Sequence, residues 1–192
     1  MSDKRGLLVV ISGPSGVGKT TITHQLVQRL GAVFSVSMTT RPKTAADTEG
    51  VDYYFVDNER FERAIADGEL LEWAKVFTNY YGTPRGPVEH ELHEGRDVIL
   101  EIDVVGAEQI RKSMPDALAI FVNPPSEEEL LRRLRARARE GEDVIQRRFS
   151  EAKREMQQAR ECGAYDHFIV NENLDEAINH AYQLVTDHKA AV

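Results

Sequence analysis

The chain has 192 residues, a length that suits one domain with inserted lobes. Hydrophobic residues make up 41% and charged residues 29%, as in globular proteins, and no apolar run approaches the roughly 20 residues of a membrane span. The formal net charge of −8 argues against general binding to nucleic acids or membrane surfaces, which requires a basic field. Cys162 is the only cysteine and residues 1–5 lack a signal-peptide pattern, so we expect no internal disulfide and a cytoplasmic location.

The first predicted elements enclose a glycine-rich loop. The apolar run 7–11 predicts a strand, and the spacing of Ile22, Leu26 and Leu30 predicts a helix over 19–30 that ends at Gly31. Between them, residues 13–20 read GPSGVGKT and match G-x-x-x-x-G-K-[ST]. Because this motif needs a strand before it and a helix after it, its context favours a true phosphate-binding loop.

The phosphate-binding loop (residues 13–20) has the chemistry to hold a nucleoside triphosphate. Its glycines let several backbone N–H groups converge on one anion, and the following helix directs its positive dipole end at the same point. Lys19 is expected to reach the β- and γ-phosphates, and the Thr20 hydroxyl to ligate Mg²⁺. The residues predicted to bind ATP here are Gly13, Pro14, Ser15, Gly16, Val17, Gly18, Lys19, Thr20 and Thr21.

The rest of the chain alternates strand and helix patterns. Short runs rich in Val, Ile and Leu predict parallel strands, buried on both faces, at 33–37, 97–103, 118–122 and 168–170. Helical patterns between and after them, including 145–159 and 174–185, indicate a layered α/β fold with a parallel sheet. The core is therefore expected to comprise about 1–35, 85–125 and 151–192.

Two segments interrupt this alternation. Residues 36–84 predict a small strand-rich lobe inserted into the core, called here the inserted lobe. Residues 126–150, called here the lid segment, open with a capping box from Ser126 to Glu129 and then become rich in arginine.

A phosphate-binding loop alone does not choose among ATPase, GTPase, motor and kinase. The small size, the inserted lobe and the basic lid segment favour a small nucleotide kinase, because phosphoryl transfer needs positioning, charge neutralisation and exclusion of water.

The motifs, taken in order, resemble those of the guanylate kinase family over nearly the whole chain. The matching segments are 13–21, 34–37, 39–41, 52–56, 72–74, 79–82, 99–103, 124–126 and 169–171. The resemblance implies a three-layer P-loop nucleotide kinase fold in which 36–84 binds GMP and 126–150 is a helical lid. It also implies transfer of the γ-phosphoryl group of ATP to GMP, giving ADP and GDP, with Mg²⁺ as cofactor and dGMP as a further candidate acceptor.

Two alternatives remain at this point. One is a related P-loop kinase with another phosphorylated acceptor, and the other is a non-catalytic guanylate kinase-like interaction module. The intact Lys19 and Thr20 argue against the interaction module. The acidic pair Glu72 and Asp103, whose roles follow below, suits guanine and argues against another acceptor. The oligomeric state does not follow from the sequence.

The resemblance also assigns roles to the acceptor side. The carboxylates of Glu72 and Asp103 would accept from N1 and N2 of guanine, while Ser37 and Thr83, the latter usually serine in the family, would bind the O6/N7 edge. The residues expected to hold the GMP phosphate are Arg41, Tyr53 and Tyr81.

On the donor side the resemblance assigns the lid arginines to the ATP phosphates and the transferring group. Together with Lys19 and Arg41, the expected catalytic residues are Arg133, Arg137 and Arg148. Arg132 is expected on a solvated face. Asn171 is expected near the adenine or as a cap of the next helix, and Glu101 either orients Mg²⁺ through water or simply ends a strand.

One motif departs from the family pattern. The family carries a second arginine three residues after the first, within T-T-R-x-P-R, whereas this chain has Thr44 at that position. We hypothesise that Lys43, next to it, supplies the missing positive charge.

Overall fold

The computed structural model describes residues 5–76, 78–137 and 141–191, with only the backbone described for Arg137. The strands in this part of the chain are β1 (Leu8–Ser12), β2 (Val33–Phe34), β3 (Met38–Thr39), β4 (Tyr54–Phe55), β5 (Leu70–Val76), β6 (Asn79–Pro84), β7 (Val98–Glu101), β8 (Leu118–Asn123) and β9 (His167–Val170). The helices are α1 (Lys19–Leu30), α2 (Asn58–Ala66), α3 (Arg85–His93), α4 (Val104–Ser113), α5 (Glu127–Arg137), α6 (Glu142–Glu161) and α7 (Leu174–Ala191).

A five-stranded parallel sheet forms the centre, with the strand order β2-β7-β1-β8-β9. Its central strands are continuous apolar runs because both faces are covered. Residues Leu8, Val10, Val98 and Leu100 pack on one face, while Val9, Ile11, Ile99 and Ile120 pack on the other with side chains of α1 and α7. The predicted layered α/β fold is confirmed. The second strand is shorter than the predicted 33–37 and ends at Phe34.

The inserted lobe contains its own four-stranded sheet, in the order β4-β3-β6-β5. Met38, Phe61, Ala64 and Leu70 form its small core, with α2 covering the strands. Asp57 caps α2 by accepting a 2.7 Å bond from the N–H of Arg60.

The inserted lobe is joined to the centre through β5, which packs along α4. Leu71 of β5 belongs to the apolar cluster of the central sheet. The backbone of Trp73 exchanges two hydrogen bonds with the Gln109 side chain of α4, at 3.1 Å and 2.7 Å. These two bonds fix the position of β5 along α4, next to the place where residues 72 and 103 lie.

Helices α5 and α6 form a separate layer against β8. Ile145, Ala152, Met156 and Ala159 are buried in it, which confirms the predicted apolar stripe of α6. Ser126 accepts from the N–H of Glu129 at 3.1 Å, the first half of the predicted capping box. Helix α6 runs without a break through residue 150, where the lid segment was predicted to end. In the described residues, no helix combines the length and apolarity that crossing a membrane requires.

Candidate active site

The phosphate-binding loop lies between the carboxyl end of β1 and the start of α1. Gly18 adopts φ 98°, a left-handed conformation that glycine tolerates, and it precedes the first helical residue. A Cβ on Gly18 would lie 2.6 Å from Nδ2 of Asn171, so glycine is needed there for space as well. Lys19 donates from Nζ to the carbonyls of Gly13 and Pro14, the latter at 3.0 Å, which folds the lysine back over the loop.

A hydroxyl and a carboxylate meet beside the loop. The Thr20 hydroxyl donates to Oε1 of Glu101 at 2.9 Å, so Glu101, at the end of β7, does more than terminate a strand. The threonine oxygen keeps lone pairs for a metal, and a second carboxylate oxygen can reach metal-bound water. In the described part of the chain no group of three His, Cys, Asp or Glu could hold a metal ion. Magnesium takes few protein oxygens and completes its shell with water and phosphate, so this oxygen pair suits it.

A cavity of about 310 Å³ opens beside the loop, between α5 and the end of β9. Asn171 lines it, is 5% exposed, and donates from Nδ2 to the carbonyl of Val17 at 2.7 Å. The alternative role of Asn171 as a helix cap is wrong: Asn173 caps α7, because its Oδ1 accepts from the N–H groups of Asp175 and Glu176 at 3.0 Å and 3.2 Å. Asn171 therefore braces the phosphate-binding loop from the far end of the chain.

The lid arginines approach the loop from two helices. Arg133 of α5 donates to the carbonyl of Asn171 at 3.0 Å and to Glu129 at 2.7 Å. Arg148 of α6 donates to the Ser15 hydroxyl at 2.8 Å. Hydrogen bonds from Arg132 and Arg133 hold the pKa of Glu129 at about 2.

The two remaining arginines of this group differ in what can be said of them. Arg132, expected on a solvated face, is 70% exposed in its side chain, yet it also lines the rim of the cavity beside the loop. The side chain of Arg137 lies outside the described part of the structure.

The acidic pair predicted for guanine lies where β5 meets the start of α4. Glu72 is 4% exposed, and its Oε1 accepts from the Thr83 hydroxyl at 2.6 Å. Asp103 caps α4, with Oδ1 accepting from the N–H of Gly106 at 2.8 Å. Burial raises the pKa of Glu72 to about 7, and the charge of Asp103 adds to the shift. The two acids are therefore electrostatically coupled.

The acidic pair lies near the phosphate-binding loop, because Asp103 follows β7, the parallel neighbour of β1. Burial raises the pKa of Asp103, while the N–H groups of Gly106 and Val105 and the positive charge of Lys19 oppose that shift. The acceptor side and the donor side are thus close enough for their charges to interact. Thr83, expected to bind the O6/N7 edge of guanine, donates its hydroxyl hydrogen bond to Glu72 in this structure, so the hydroxyl must rotate before it can donate to a base.

The predicted phosphate residues of the acceptor side form one cluster at the lobe. The ring centroids of Tyr53 and Tyr81 are 5.7 Å apart. Ser37, expected at the guanine edge, lies just before β3, and its carbonyl accepts from the N–H of Tyr54 at 2.9 Å. The guanidinium carbon of Arg41 lies 5.4 Å from the centre of the Tyr53 ring, within cation–π range.

Arg41 is held by a residue that the sequence analysis did not single out. Both of its terminal nitrogens donate to Asp47, at 3.0 Å and 2.8 Å. Thr44 adds two bonds to the same carboxylate, from its N–H at 2.7 Å and from its hydroxyl at 2.6 Å. These donors hold the pKa of Asp47 well below its usual range. The threonine at the missing arginine's position thus secures the partner of the remaining arginine.

Two further residues at the site carried weak sequence signals. Glu155 of α6 faces Lys19 and Asp103, and burial raises its pKa to about 7. In the sequence, the only indication of Glu155 is that its carboxylate lies beside the apolar residues of the helical pattern at 145–159. In the sequence, Gly106 is a glycine in the first turn after Asp103. That position is compatible with a helix cap at Asp103, but nothing in the sequence indicates the close approach of Glu72.

The central parallel sheet, the phosphate-binding loop, the inserted lobe and the basic lid segment define a P-loop kinase of small molecules. A family model described as guanylate kinase matches residues 5–188. The chain belongs to the guanylate kinase family. The predicted family and enzyme class are confirmed.

Individual relatives agree over nearly the full length. A guanylate kinase of Symbiobacterium thermophilum is 49% identical over 187 residues, which cover 97% of this chain and 87% of the relative. A guanylate kinase of Synechococcus sp. is 50% identical and covers 91% of this chain and 79% of the relative. The crystal structure of guanylate kinase from Anaplasma phagocytophilum aligns with a TM-score of 0.78 at 36% identity, covering 97% of this chain and 88% of that one.

Proposed function

We propose that the chain transfers the γ-phosphoryl group of ATP to GMP, giving ADP and GDP, in the cytoplasm. The observation that carries this proposal is the buried carboxylate of Glu72 beside Asp103, close enough to the phosphate-binding loop for the charge of Lys19 to act on Asp103. Family membership supports the reaction class, and the acidic pair supports the choice of acceptor.

On the donor side, ATP would place its phosphates in the loop over α1, with Lys19 at the β- and γ-phosphates. Thr20 would bind Mg²⁺ directly and Glu101 through water, an assignment supported by the bond between them. When bound, Mg²⁺ would supply positive charge that offsets the negative charge on the phosphate oxygens around the phosphorus–oxygen bond that breaks. The cavity beside Asn171 has the position expected for the adenine end of the nucleotide.

On the acceptor side, the ionised acids would accept from N1–H and from the 2-amino group of guanine. Adenine lacks this pair of donors, so it would leave buried acceptors unpaired. A site of this kind can reject the wrong base by as much as about 10⁴–10⁵-fold. Arg41, Tyr53 and Tyr81 would hold the GMP phosphate, with Lys43 as a further positive charge next to Thr44.

Transfer itself needs little covalent chemistry from the protein. The GMP phosphate oxygen is already anionic, so it can attack the γ-phosphorus in line without a strong general base. Arg133, Arg137 and Arg148 would neutralise charge on the transferring group as the lid segment closes and excludes water. The contacts of Arg133 with Asn171 and of Arg148 with Ser15 support this, since both arginines already touch or adjoin the loop.

The test is a coupled assay with ATP, Mg²⁺ and each of GMP, AMP, CMP and UMP. We expect turnover with GMP, strong discrimination against the other three, and loss of GMP binding by calorimetry in Glu72→Gln. Glu62→Gln, an exposed carboxylate on α2 of the same lobe, is the matched control and should behave as wild type. Equal turnover with AMP and GMP, or GMP affinity that survives Glu72→Gln, would refute the assignment of the acceptor.

A further inference from the structure

We infer that Gly106 is a positioning residue of the guanine site, because its lack of a side chain admits the Glu72 carboxylate against the first turn of α4. The inference rests on the proposed function for its consequence in catalysis. Its structural content, the close approach of Glu72 to α4, stands without that function.

Space around Gly106 is occupied by Glu72. A Cβ added to Gly106 would overlap Oε2 of Glu72 and lie 3.0 Å from Cδ of the same side chain. It would also lie 3.3 Å from Cδ1 of Ile102. Carbon atoms that are not bonded pack at about 3.5–4.0 Å, so a methyl group and the carboxylate cannot share this position. Any side chain at position 106 must move the carboxylate.

The carboxylate has little freedom to move with its surroundings unchanged. Its Oε1 is tied to Thr83 at 2.6 Å, across the β5–β6 pair in which residues 72 and 83 are partners. One residue further on, the Trp73 backbone is tied twice to Gln109 of α4. The strand and the helix are thus held together, and the added methyl group would displace the side chain of Glu72 before it separated the two elements.

Backbone conformation does not explain the glycine. Gly106 is a regular residue of α4, and its φ lies outside the left-handed region, so alanine could adopt the same backbone. Alanine is also the better helix former. A glycine at this place weakens the helix, and the approach of Glu72 accounts for it.

Gly106 acts on both acids of the site. Its N–H donates to Asp103 at 2.8 Å, and its bare Cα leaves room for Glu72. One residue therefore sets the spacing between the two carboxylates that would receive the two donors of guanine. The spacing matters because N1–H and the 2-amino group are fixed relative to each other on a rigid ring.

The chain offers a matched control. Gly86 lies in the first turn of α3, and a Cβ there would meet nothing within 4 Å. Gly86→Ala and Gly106→Ala make the same chemical change within the first turn of a helix, and they differ in whether a functional side chain stands in the way.

The kinetic experiment compares wild type, Gly106→Ala and Gly86→Ala in full steady-state kinetics with GMP, with IMP, which lacks the 2-amino group, and with ATP. In Gly106→Ala we expect the KM for GMP to rise by about tenfold or more, since misplacing one methyl-sized volume is worth about that much. The preference for GMP over IMP should shrink, with the KM for ATP unchanged. Gly86→Ala should match wild type. A merely structural role would not separate GMP from IMP, so an unchanged GMP/IMP ratio overturns the inference.

A second measurement reads the contact without any nucleotide. Glu72→Asp shortens the side chain by one methylene and removes the overlap. We expect Gly106→Ala to lower Tm by about 2–4 °C when residue 72 is glutamate. In the Glu72→Asp background the same alanine should lower Tm clearly less or raise it, because the overlap with residue 72 is gone and only the approach to Ile102 opposes the helix propensity of alanine. Additive Tm changes overturn the inference. Absence of GMP turnover in wild type, together with non-additive Tm changes, would instead reject the proposed function alone.

Discussion

The donor side and the acceptor side of this site are built in opposite ways. The phosphate-binding loop uses backbone groups of consecutive residues, and a single lysine folds over it. The acceptor side uses side chains from several elements, among them Arg41, Glu72 and Asp103, which come together only when the inserted lobe packs on α4. Under the proposed function, the first surface would recognise phosphate, which all nucleotides share, and the second would recognise one base.

The two sides also differ in how their charges are held. On the acceptor side, Glu72 is buried with a raised pKa, and Arg41 is already engaged by Asp47. Binding there therefore exchanges existing contacts for new ones. On the donor side the loop is braced from outside by Asn171, so its conformation is set before a ligand arrives. The comparison indicates that catalysis depends most on the donor side, and selectivity on the acceptor side.

The largest effect is expected from Lys19→Ala, which removes the side-chain charge of the donor side. We expect kcat to fall by about 10³-fold or more, because this charge would act on the phosphates in the transition state. The KM for GMP should change little. Rapid-quench and steady-state assays measure this, with Lys112→Ala, an exposed lysine of α4, as the control. A loss confined to ATP affinity, with kcat preserved, would contradict the division between the two sides.

A smaller effect is expected from pH, and it should appear on the acceptor side. The carboxyl of Glu72 is a full acceptor for a guanine donor only when it is ionised, and its pKa is about 7. We therefore expect kcat/KM for GMP to rise about tenfold per pH unit below pH 7 and to level off above it. The KM for ATP should stay flat over the same range. Glu72→Gln should lose the rise, and a wild-type profile without a step near pH 7 would argue against this acid.

The same group makes a linked contribution to stability, and its sign is opposite. A carboxyl whose pKa is raised from 4.5 to about 7 on folding binds more protons in the folded state. The folded state therefore loses stability as pH rises from about 4.5 to about 7, by up to about 3 kcal/mol for this group. Urea unfolding of wild type and Glu72→Gln at pH 5 and pH 8 measures the difference, which should favour the glutamine variant at pH 8.

The smallest of these effects is expected from Asp47→Ala. Asp47 holds the fork of Arg41 and both donors of Thr44, so its loss frees the arginine and the loop around it. We expect the KM for GMP to rise by about tenfold, the order of the entropy regained by one long side chain, with kcat nearly unchanged.

Lys43→Ala, measured beside it, separates the two sources of charge. A rise in the KM for GMP supports Lys43 as the substitute for the missing arginine, and no change rules that substitution out. If Asp47→Ala instead lowered the KM, the carboxylate would be a competitor of the phosphate rather than a support for Arg41.

The donor side could be predicted from the sequence because it is local. The residues from Gly13 to Thr20 carry the loop, the helix start and the metal-ligand candidate in one stretch, and the strands and helices around them follow from apolar periodicity. The inserted lobe was predictable as an interruption of that periodicity, and the family resemblance added the acidic pair.

The rest depends on contacts between elements that are distant in the chain. The ion pair of Arg41 with Asp47 needs the loop between them to close, and no spacing rule encodes that closure. The overlap of a side chain at Gly106 with Glu72 arises from the packing of β5 on α4. Asn171 was expected near the adenine, but its bond to Val17 depends on where β9 ends relative to β1. Pattern and propensity describe elements, and these contacts belong to the arrangement of elements.

The brace between Asn171 and Val17 also sets an order of events during synthesis. The two residues are 154 positions apart, so the ribosome releases the loop long before the amide that completes it. A nascent chain that carries the whole nucleotide motif still lacks β9, and the carbonyl of Val17 has no side-chain amide from which to accept a hydrogen bond. Because domains fold as units, competence to bind ATP would arise only after Asn171 has emerged from the ribosome.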